Sequence, residues 1–183
     1  DKTGTLTEGK PRLTAVVADG VEEATLLRLA ASLEGGSEHP LATAIVEGAG
    51  ERGVATVAAI DFCSRTGKGV LGSVDGKSVA IGNDALLEEL GIDAGEIAAR
   101  AQAFRDEAKT VMFVAVDGHV VGLLGVSDPI KLSTPKAIRV LRDAGIRVLM
   151  LTGDSEATAA AVARELGLDE VIANVLPVDK GRV

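Results

Sequence analysis

The segment Ile146-Arg147-Val148-Leu149-Met150-Leu151 restricts the fold more than any other stretch of the 183 residues. A nearly unbroken apolar run of strand length is the pattern of a β-strand buried on both faces. Its flanks agree with that reading. Thr134-Pro135 supplies an N-cap and first-turn pair for a helix carrying Ala137, Ile138, Leu141 and Ala144, and Gly145 suits its stop. Thr152-Gly153-Asp154 ends the run, a helix to Leu166 follows with Gly167 behind it, and a short strand is expected around Val171 to Val175. Helix, strand, helix, strand is the beginning of a doubly wound parallel sheet. Its chemistry belongs at the carboxyl ends of the strands, where Thr152-Gly153-Asp154 falls.

Before Asp128-Pro129 the pattern is different. Residues 21–33 put Leu26, Leu29, Ala30 and Leu33 on one helical face, and residues 40–51 read as a second helix opened by Pro40. Asp75-Gly76 joins expected strands 69–74 and 77–82, and Asp117-Gly118 joins 111–116 and 119–126; both dipeptides are strong hairpin signals. Helical segments are expected near 84–90 and 94–108. Strands paired by hairpins, with helices between them, predict an antiparallel α+β unit over roughly 10–125.

Charge narrows the partners. With 19 basic against 27 acidic residues, a net charge of −8 and no basic run, the chain lacks the footprint of a nucleic-acid or anionic-membrane binder. Cys63 is the single cysteine, so an intrachain disulfide and a cysteine metal cluster are both ruled out, and it reads as a small, buried or half-buried thiol. That usage fits a reducing, cytosolic compartment. No apolar run approaches the ~20 residues that a membrane helix requires.

The strongest chemical signal is Asp1-Lys2-Thr3-Gly4-Thr5-Leu6-Thr7. An aspartate followed by small, hydroxyl-rich residues can present its carboxylate to a phosphate in a tight turn, and a carboxylate can accept a phosphoryl group as a nucleophile. Thr152-Gly153-Asp154 offers a hydroxyl and backbone N–H groups to phosphate oxygens. Lys180, in Pro177-Val178-Asp179-Lys180, offers a fixed positive charge. Phosphoryl transfer consists largely of positioning and electrostatic stabilisation, so a carboxylate, a hydroxyl, a lysine and Mg²⁺ are the parts it needs.

The heptad resembles the phosphorylation motif of the P-type ATPases, ion pumps that share a phosphatase-like catalytic fold with the haloacid dehalogenase superfamily. The resemblance covers essentially the whole chain. It implies an α/β phosphorylation domain of haloacid-dehalogenase-like (Rossmann-type) fold, incomplete here, with an inserted α+β nucleotide-binding domain on an antiparallel sheet. The implied segments are 1–9 and 126–183 for the phosphorylation domain and 10–125 for the insertion, with Asp128-Pro129-x-Lys131 as the return hinge. By the same resemblance Asp1 is the phosphorylated residue, Asp1 and the Thr3 carbonyl hold Mg²⁺, and Lys2 and Thr5 lie beside the phosphate. Thr152, Gly153 and Lys180 would bind phosphoryl oxygens, with Asp154 completing the catalytic set.

Thr3 separates pump from phosphatase. Phosphatases of this superfamily usually carry a second aspartate at that position as general acid and water-activating base. A hydroxyl is a poor base near neutral pH, so an aspartyl phosphate would persist long enough to drive a conformational cycle. Ser37-Glu38-His39-Pro40 resembles the signature of heavy-metal-transporting P-type ATPases, with His39 stacking on adenine and Glu34 contacting it. Gly67-Lys68-Gly69, Val70 and Gly82-Asn83 match the rest of that family's nucleotide pocket, with Glu38 in the same set.

Two look-alikes are set aside. Gly67 to Gly72 matches G-x-G-x-x-G, but a strand pattern follows in place of the helix of a dinucleotide site, and the kinase lysine is missing after Val79-Ala80-Ile81. Gly72 to Ser78 is one residue short of a P-loop and straddles the Asp75-Gly76 turn.

The implied function is the cytosolic ATP-binding and aspartyl-phosphorylation region of a heavy-metal exporter, with Cu⁺ as the favoured ion. A Zn²⁺, Cd²⁺ or Pb²⁺ pump and a soluble phosphatase of the same superfamily are the alternatives. The implied partners are ATP, a metal ion held by membrane helices, the actuator and membrane domains of one parent chain, and a metallochaperone. A Gly- and Asp-rich Mg²⁺ motif is expected beyond Val183, so the 183 residues by themselves are expected to bind nucleotide and hydrolyse it poorly.

Overall fold

The computed structural model describes residues 1–175; Lys180 and its neighbours lie outside the described residues. The chain divides into two compact units, one of Asp1–Pro11, Ala103–Thr110 and Ser127 onward, the other of Arg12–Gln102 and Val111–Val126.

The second unit is built on a sheet of β1 (Arg12–Ala18), β2 (Ile60–Arg65), β3 (Gly69–Val74), β4 (Lys77–Gly82), β5 (Thr110–Val116) and β6 (His119–Ser127). Among the described residues its order is β1-β6-β5-β4-β3-β2, and β2, β3, β4 and β5 pair antiparallel in succession. Both hairpins form as expected, because Asp75-Gly76 (φ 50° and 76°) and Asp117-Gly118 (φ 49° and 83°) adopt the left-handed pair that matches strand twist. Two helices cover one face of the sheet. α1 (Glu23–Glu34) buries Leu26, Leu29, Ala30 and Leu33 against Val70, Val74, Val79 and Ile81, the face its periodicity predicted.

α2 (Pro40–Glu51) starts at Pro40, with His39 as N-cap. α3 (Asp84–Leu90) is capped by Asn83. α4 (Ile97–Asp106) is shorter than the expected 94–108. The Asp93 carboxylate accepts the Gly95 N–H (3.0 Å), and Gly95 (φ 58°) and Ala108 (φ 61°) take left-handed conformations that no helix can include.

In the first unit β7 (Leu149–Leu151) and β8 (Glu170–Ile172) pair in parallel, with α5 (Thr134–Asp143) before β7 and α6 (Glu156–Leu166) between the strands. The expected αβαβ order is present, with three corrections. The strand begins at Leu149, three residues later than the apolar run. Ile146 instead closes α5: Gly145 is left-handed (φ 74°) and the Ile146 N–H reaches back to the Leu141 carbonyl at 2.9 Å, a Schellman stop. Burial on both faces also fails for the described residues. Met150 is fully buried, whereas Leu149 is 37% and Ile146 53% exposed. Thr134 does not cap its helix either. Ser133 occupies the cap position, and the Thr134 hydroxyl donates to the Leu6 carbonyl at 2.7 Å.

Close approach makes two glycines of α2 behave oppositely. A Cβ on Gly48 would sit 2.6 Å from the Leu13 Cβ, while one on Gly50 would meet nothing within 4 Å. Gly48→Ala is expected to destabilise by about 1–3 kcal/mol through overpacking. Gly50→Ala, in the same helix, is expected to stabilise by up to about 1 kcal/mol through helix propensity. Urea unfolding of the two variants, compared with the parent, measures both signs.

Candidate active site

The residues after Asp1 form a wide turn closed by the Thr7 N–H on the Lys2 carbonyl at 3.1 Å. Thr3 (φ −69°, ψ 124°) and Gly4 (φ 75°, ψ −11°) have the dihedrals of a type II β-turn, which demands a glycine at its third position. Thr3, Gly4 and Thr5 are exposed, as is Asp1. Lys2 is the exception, at 5% exposure. Its ammonium is satisfied by the Asp154 carboxylate.

The turn is tied down from the far side of the sequence. The Thr7 hydroxyl donates to Asp128 Oδ2 and accepts from the Gly4 N–H (3.2 Å). Lys131 Nζ donates to the Gly4 carbonyl (2.6 Å) and the Lys131 N–H to the Leu6 carbonyl (3.1 Å). Asp128 Oδ1 accepts the Lys10 N–H at 3.0 Å. Asp128-Pro129-x-Lys131 therefore grips both ends of the aspartate-bearing loop.

Thr152 leaves the carboxyl end of β7, where its N–H bonds the Ile172 carbonyl (3.0 Å) and its carbonyl accepts the Val175 N–H (3.0 Å). Its hydroxyl donates to Asp154 Oδ2 (3.0 Å), and Thr110 Oγ1 donates to Asp154 Oδ1 (3.4 Å). Gly153 is exposed at the bend. The structure thus brings Lys2, Thr152 and Asp154 into one connected group, with Asp1 preceding Lys2 in the chain. Sequence reasoning missed Thr110, for which no local signal exists.

The nucleotide candidates lie in the second unit. Glu34 ends α1 at 3% exposure, and its carboxyl group has no hydrogen-bond or ion-pair partner among the described residues. Burial alone pushes its pKa up to about 7. His39 is exposed, and its Nδ1 accepts the Leu41 N–H at 3.2 Å, which leaves the ring hydrogen on Nε2 in the neutral form. Glu38 is exposed beside it.

Gly67, Gly69, Gly82 and Asn83 form one cluster. Asn83 Nδ2 donates to the Gly67 carbonyl (2.8 Å) and the Asn83 N–H to the Lys68 carbonyl (2.9 Å). A Cβ on Gly69 would lie 2.0 Å from the Ile81 carbonyl oxygen, and one on Gly82 2.3 Å from that of Lys68, so only glycine fits at either position. Val70 is buried in the same core as α1. Outside this set, Glu89 of α3 bridges Arg65 (3.2 Å) and Lys68 (2.6 Å) at the glycine loop; the Lys68 hydrogen bond holds its carboxyl below the ordinary range.

Glu34 gives the second unit a pH dependence. The folded chain holds the Glu34 proton more tightly than the unfolded chain, so stabilisation from this group is complete below about pH 4.5 and is lost as pH rises through about 7. The difference is on the order of 3 kcal/mol. Glu34→Gln is expected to be the more stable form at pH 8 and to lose that fall between pH 4.5 and 7. Denaturant midpoints of parent and variant across this range check it.

The model of the haloacid dehalogenase-like hydrolases matches residues 1–182. A copper-transporting P-type ATPase of Rhizobium leguminosarum bv. viciae is 57% identical over 181 residues, covering 98% of this chain and 22% of the relative. Among solved structures, a zinc-transporting PIB-type ATPase in its E2.Pi state is 37% identical with a TM-score of 0.73, over 100% of this chain and 29% of that one. The catalytic domain of the CPx-ATPase CopB-B, solved in a study of its changes on nucleotide binding, is 28% identical with a TM-score of 0.72, over 100% of this chain and 62% of that one. The chain spans about a fifth to a quarter of the length of the curated relatives it matches. Residues 1–182 make this chain a member of the haloacid dehalogenase-like hydrolase family, in the branch formed by the heavy-metal P-type ATPases.

Proposed function

We propose that this chain is the ATP-binding and phosphorylation region of a P-type pump that exports a heavy-metal ion from the cytoplasm. The observation that carries the proposal is the Lys2–Asp154 pair. It joins the loop of a carboxylate nucleophile to the hydroxyl and backbone donors at the end of β7, the arrangement that phosphoryl transfer requires. In the reaction an Asp1 carboxylate oxygen attacks the γ-phosphorus of ATP. The bond from that phosphorus to the β–γ bridging oxygen breaks, and ADP leaves with the electron pair. Lys2 supplies positive charge beside the nucleophile, Gly153 offers its backbone N–H and Thr152, on release from Asp154, its hydroxyl to the phosphoryl oxygens, and Lys180 adds a second cation.

The Asp1 carboxylate and Thr3 carbonyl are hard oxygen donors, and no group of three or more His, Cys, Asp or Glu side chains able to hold a metal exists among the described residues. Such a donor set fits Mg²⁺, which binds through one or two carboxylates, water and substrate phosphates; when bound it neutralises charge on the transferred group.

In this reading residues 10–125 form the nucleotide-binding domain and 1–9 with 126–183 the phosphorylation domain. Adenine has a donor (N6) beside an acceptor (N1), which a buried, protonated carboxyl such as Glu34 can satisfy together, its carbonyl oxygen accepting from N6 and its O–H donating to N1. His39 provides a stacking face beside it. Gly67, Gly69, Gly82 and Asn83 offer bare backbone, Val70 an apolar wall, and Glu38 belongs to the same rim.

The transported ion is Cu⁺ by analogy with the copper-transporting relative, and Zn²⁺ by analogy with the solved zinc pump. The 57% identity to the former favours copper. No helix among the described residues is long and apolar enough to cross a membrane, so the ion would be held elsewhere in the parent chain, with delivery by a metallochaperone. Thr3, exposed in its turn, puts no carboxylate where a phosphatase needs one.

In the full-length parent, Mg-ATP is expected to yield an acid-stable, hydroxylamine-sensitive acyl phosphate that Asp1→Asn abolishes, because an amide is a poor nucleophile. Radiolabel retention after acid quench measures it, and full labelling of the variant would remove the mechanism. His39→Gln is expected to weaken ATP binding roughly tenfold, as stacking on an aromatic ring contributes about 1–3 kcal/mol. Calorimetry reads this in a chain devoid of Trp and Tyr.

A further inference from the structure

Ala103–Thr110 lies a hundred residues from Asp1 in sequence, yet it packs with the unit that contains Asp1 and Asp154. Its backbone is held from two sides. Ala108 has φ 61°, a left-handed conformation that a residue with a Cβ adopts only where its surroundings impose it. Its side chain packs against the core of Ile138, Met150, Ala159, Val162 and Leu166. The next carbonyl, that of Lys109, accepts a hydrogen bond from the buried Thr158 hydroxyl in the first turn of α6 at 3.1 Å. The Lys109 N–H closes onto the Phe104 carbonyl at 3.0 Å. A strand start pinned in this way delivers Thr110 to one place, the Oδ1 of Asp154 at 3.4 Å.

The two oxygens of Asp154 are loaded differently. Oδ2 takes the Lys2 ammonium and the Thr152 hydroxyl, and Oδ1 takes Thr110. The terminal torsion of a carboxylate is broad and two-fold, so donors on one oxygen alone leave its plane free to swing. A donor on the second oxygen removes that freedom. The 3.4 Å separation is long for a hydroxyl–carboxylate bond, as contacts in catalytic sites often are before substrate arrives.

We propose that Thr110 is a positioning residue of the phosphoryl-transfer centre: its hydroxyl locks the Asp154 carboxylate, and through it the Lys2 ammonium, in one orientation beside Asp1. The proposal rests on the reading of Asp1 as the phosphorylated residue. None of the motifs that carry the family resemblance includes Thr110, which in sequence is an ordinary strand residue.

The test is rapid-quench measurement of acyl-phosphate formation from Mg-ATP by the full-length parent. Thr110→Val keeps the β-branch and removes the hydroxyl; Thr110→Ser keeps the hydroxyl. Thr110→Val is expected to slow formation about tenfold, the worth of one hydrogen bond, with the KM for ATP unchanged. Thr110→Ser is expected to restore the parent rate. In an Asp154→Ala background Thr110→Val should cause no further loss. An unchanged rate in Thr110→Val, an equal loss in Thr110→Ser, or the full loss repeated without Asp154 each overturns the positioning role while leaving the phosphorylation of Asp1 standing. A parallel Asp1→Asn sample that still forms the acyl phosphate overturns the underlying reading, and the role of Thr110 with it.

Discussion

An ammonium group withdrawn from water costs several kcal/mol unless a well-placed anion compensates it, and Lys2 is such a group. Its compensation comes from Asp154, a residue 152 positions away. Because Lys2 follows Asp1 directly, pairing the lysine also anchors the backbone next to the aspartate. Asp154 is in turn placed by the loop leaving β7, and that loop by the parallel pairing of β7 with β8 and by the start of α6. The rest of the first unit supports this one ion pair. Thr7 on Asp128, Lys131 on the Gly4 carbonyl and Thr134 on the Leu6 carbonyl hold the opposite end of the turn.

The second unit departs from the ordinary rules of a protein core at one point. Its helices and sheet bury Leu26, Leu33, Val74, Val79 and Ile81 in a conventional apolar cluster, and then bury Glu34 at its margin with no partner for its carboxyl group among the described residues. That arrangement costs stability once the carboxyl ionises as pH rises through about 7. Bare backbone at Gly67, Gly69 and Gly82 is held in place by Asn83, which caps α3 with one end of its amide and ties the glycine loop with the other. One side chain therefore sets both the start of a helix and the shape of the loop before it.

Much of this was legible in the sequence where the cause is local. Asp75-Gly76 and Asp117-Gly118 announce their hairpins because two consecutive left-handed residues are cheap only for such pairs. The buried face of α1, the Pro40 start and the Gly167 stop follow from spacing and backbone preference within a few residues. β2 was not bounded by any such signal; a register irregularity between Ile60 and Cys63, with Asp61 at φ 55°, breaks its alternation. The motifs of the candidate site were equally visible, since Asp1 to Thr7 and Thr152 to Asp154 are contiguous.

Tertiary structure decided the remainder, and the reason is the same in each case. Ile146 reads as a strand residue until its N–H is needed to close α5, and Thr134 reads as a cap until its hydroxyl is taken by Leu6. Ala103–Thr110 belongs by sequence to the inserted unit and by packing to the other. Turn, cap and helix-face preferences act between neighbours, so the sequence by itself determined the elements and the chemistry-bearing motifs. A hydrogen bond or an ion pair is chosen by proximity after folding, so the burial of Lys2, the lone burial of Glu34 and the arrival of Thr110 at Asp154 existed only once distant segments had been packed together.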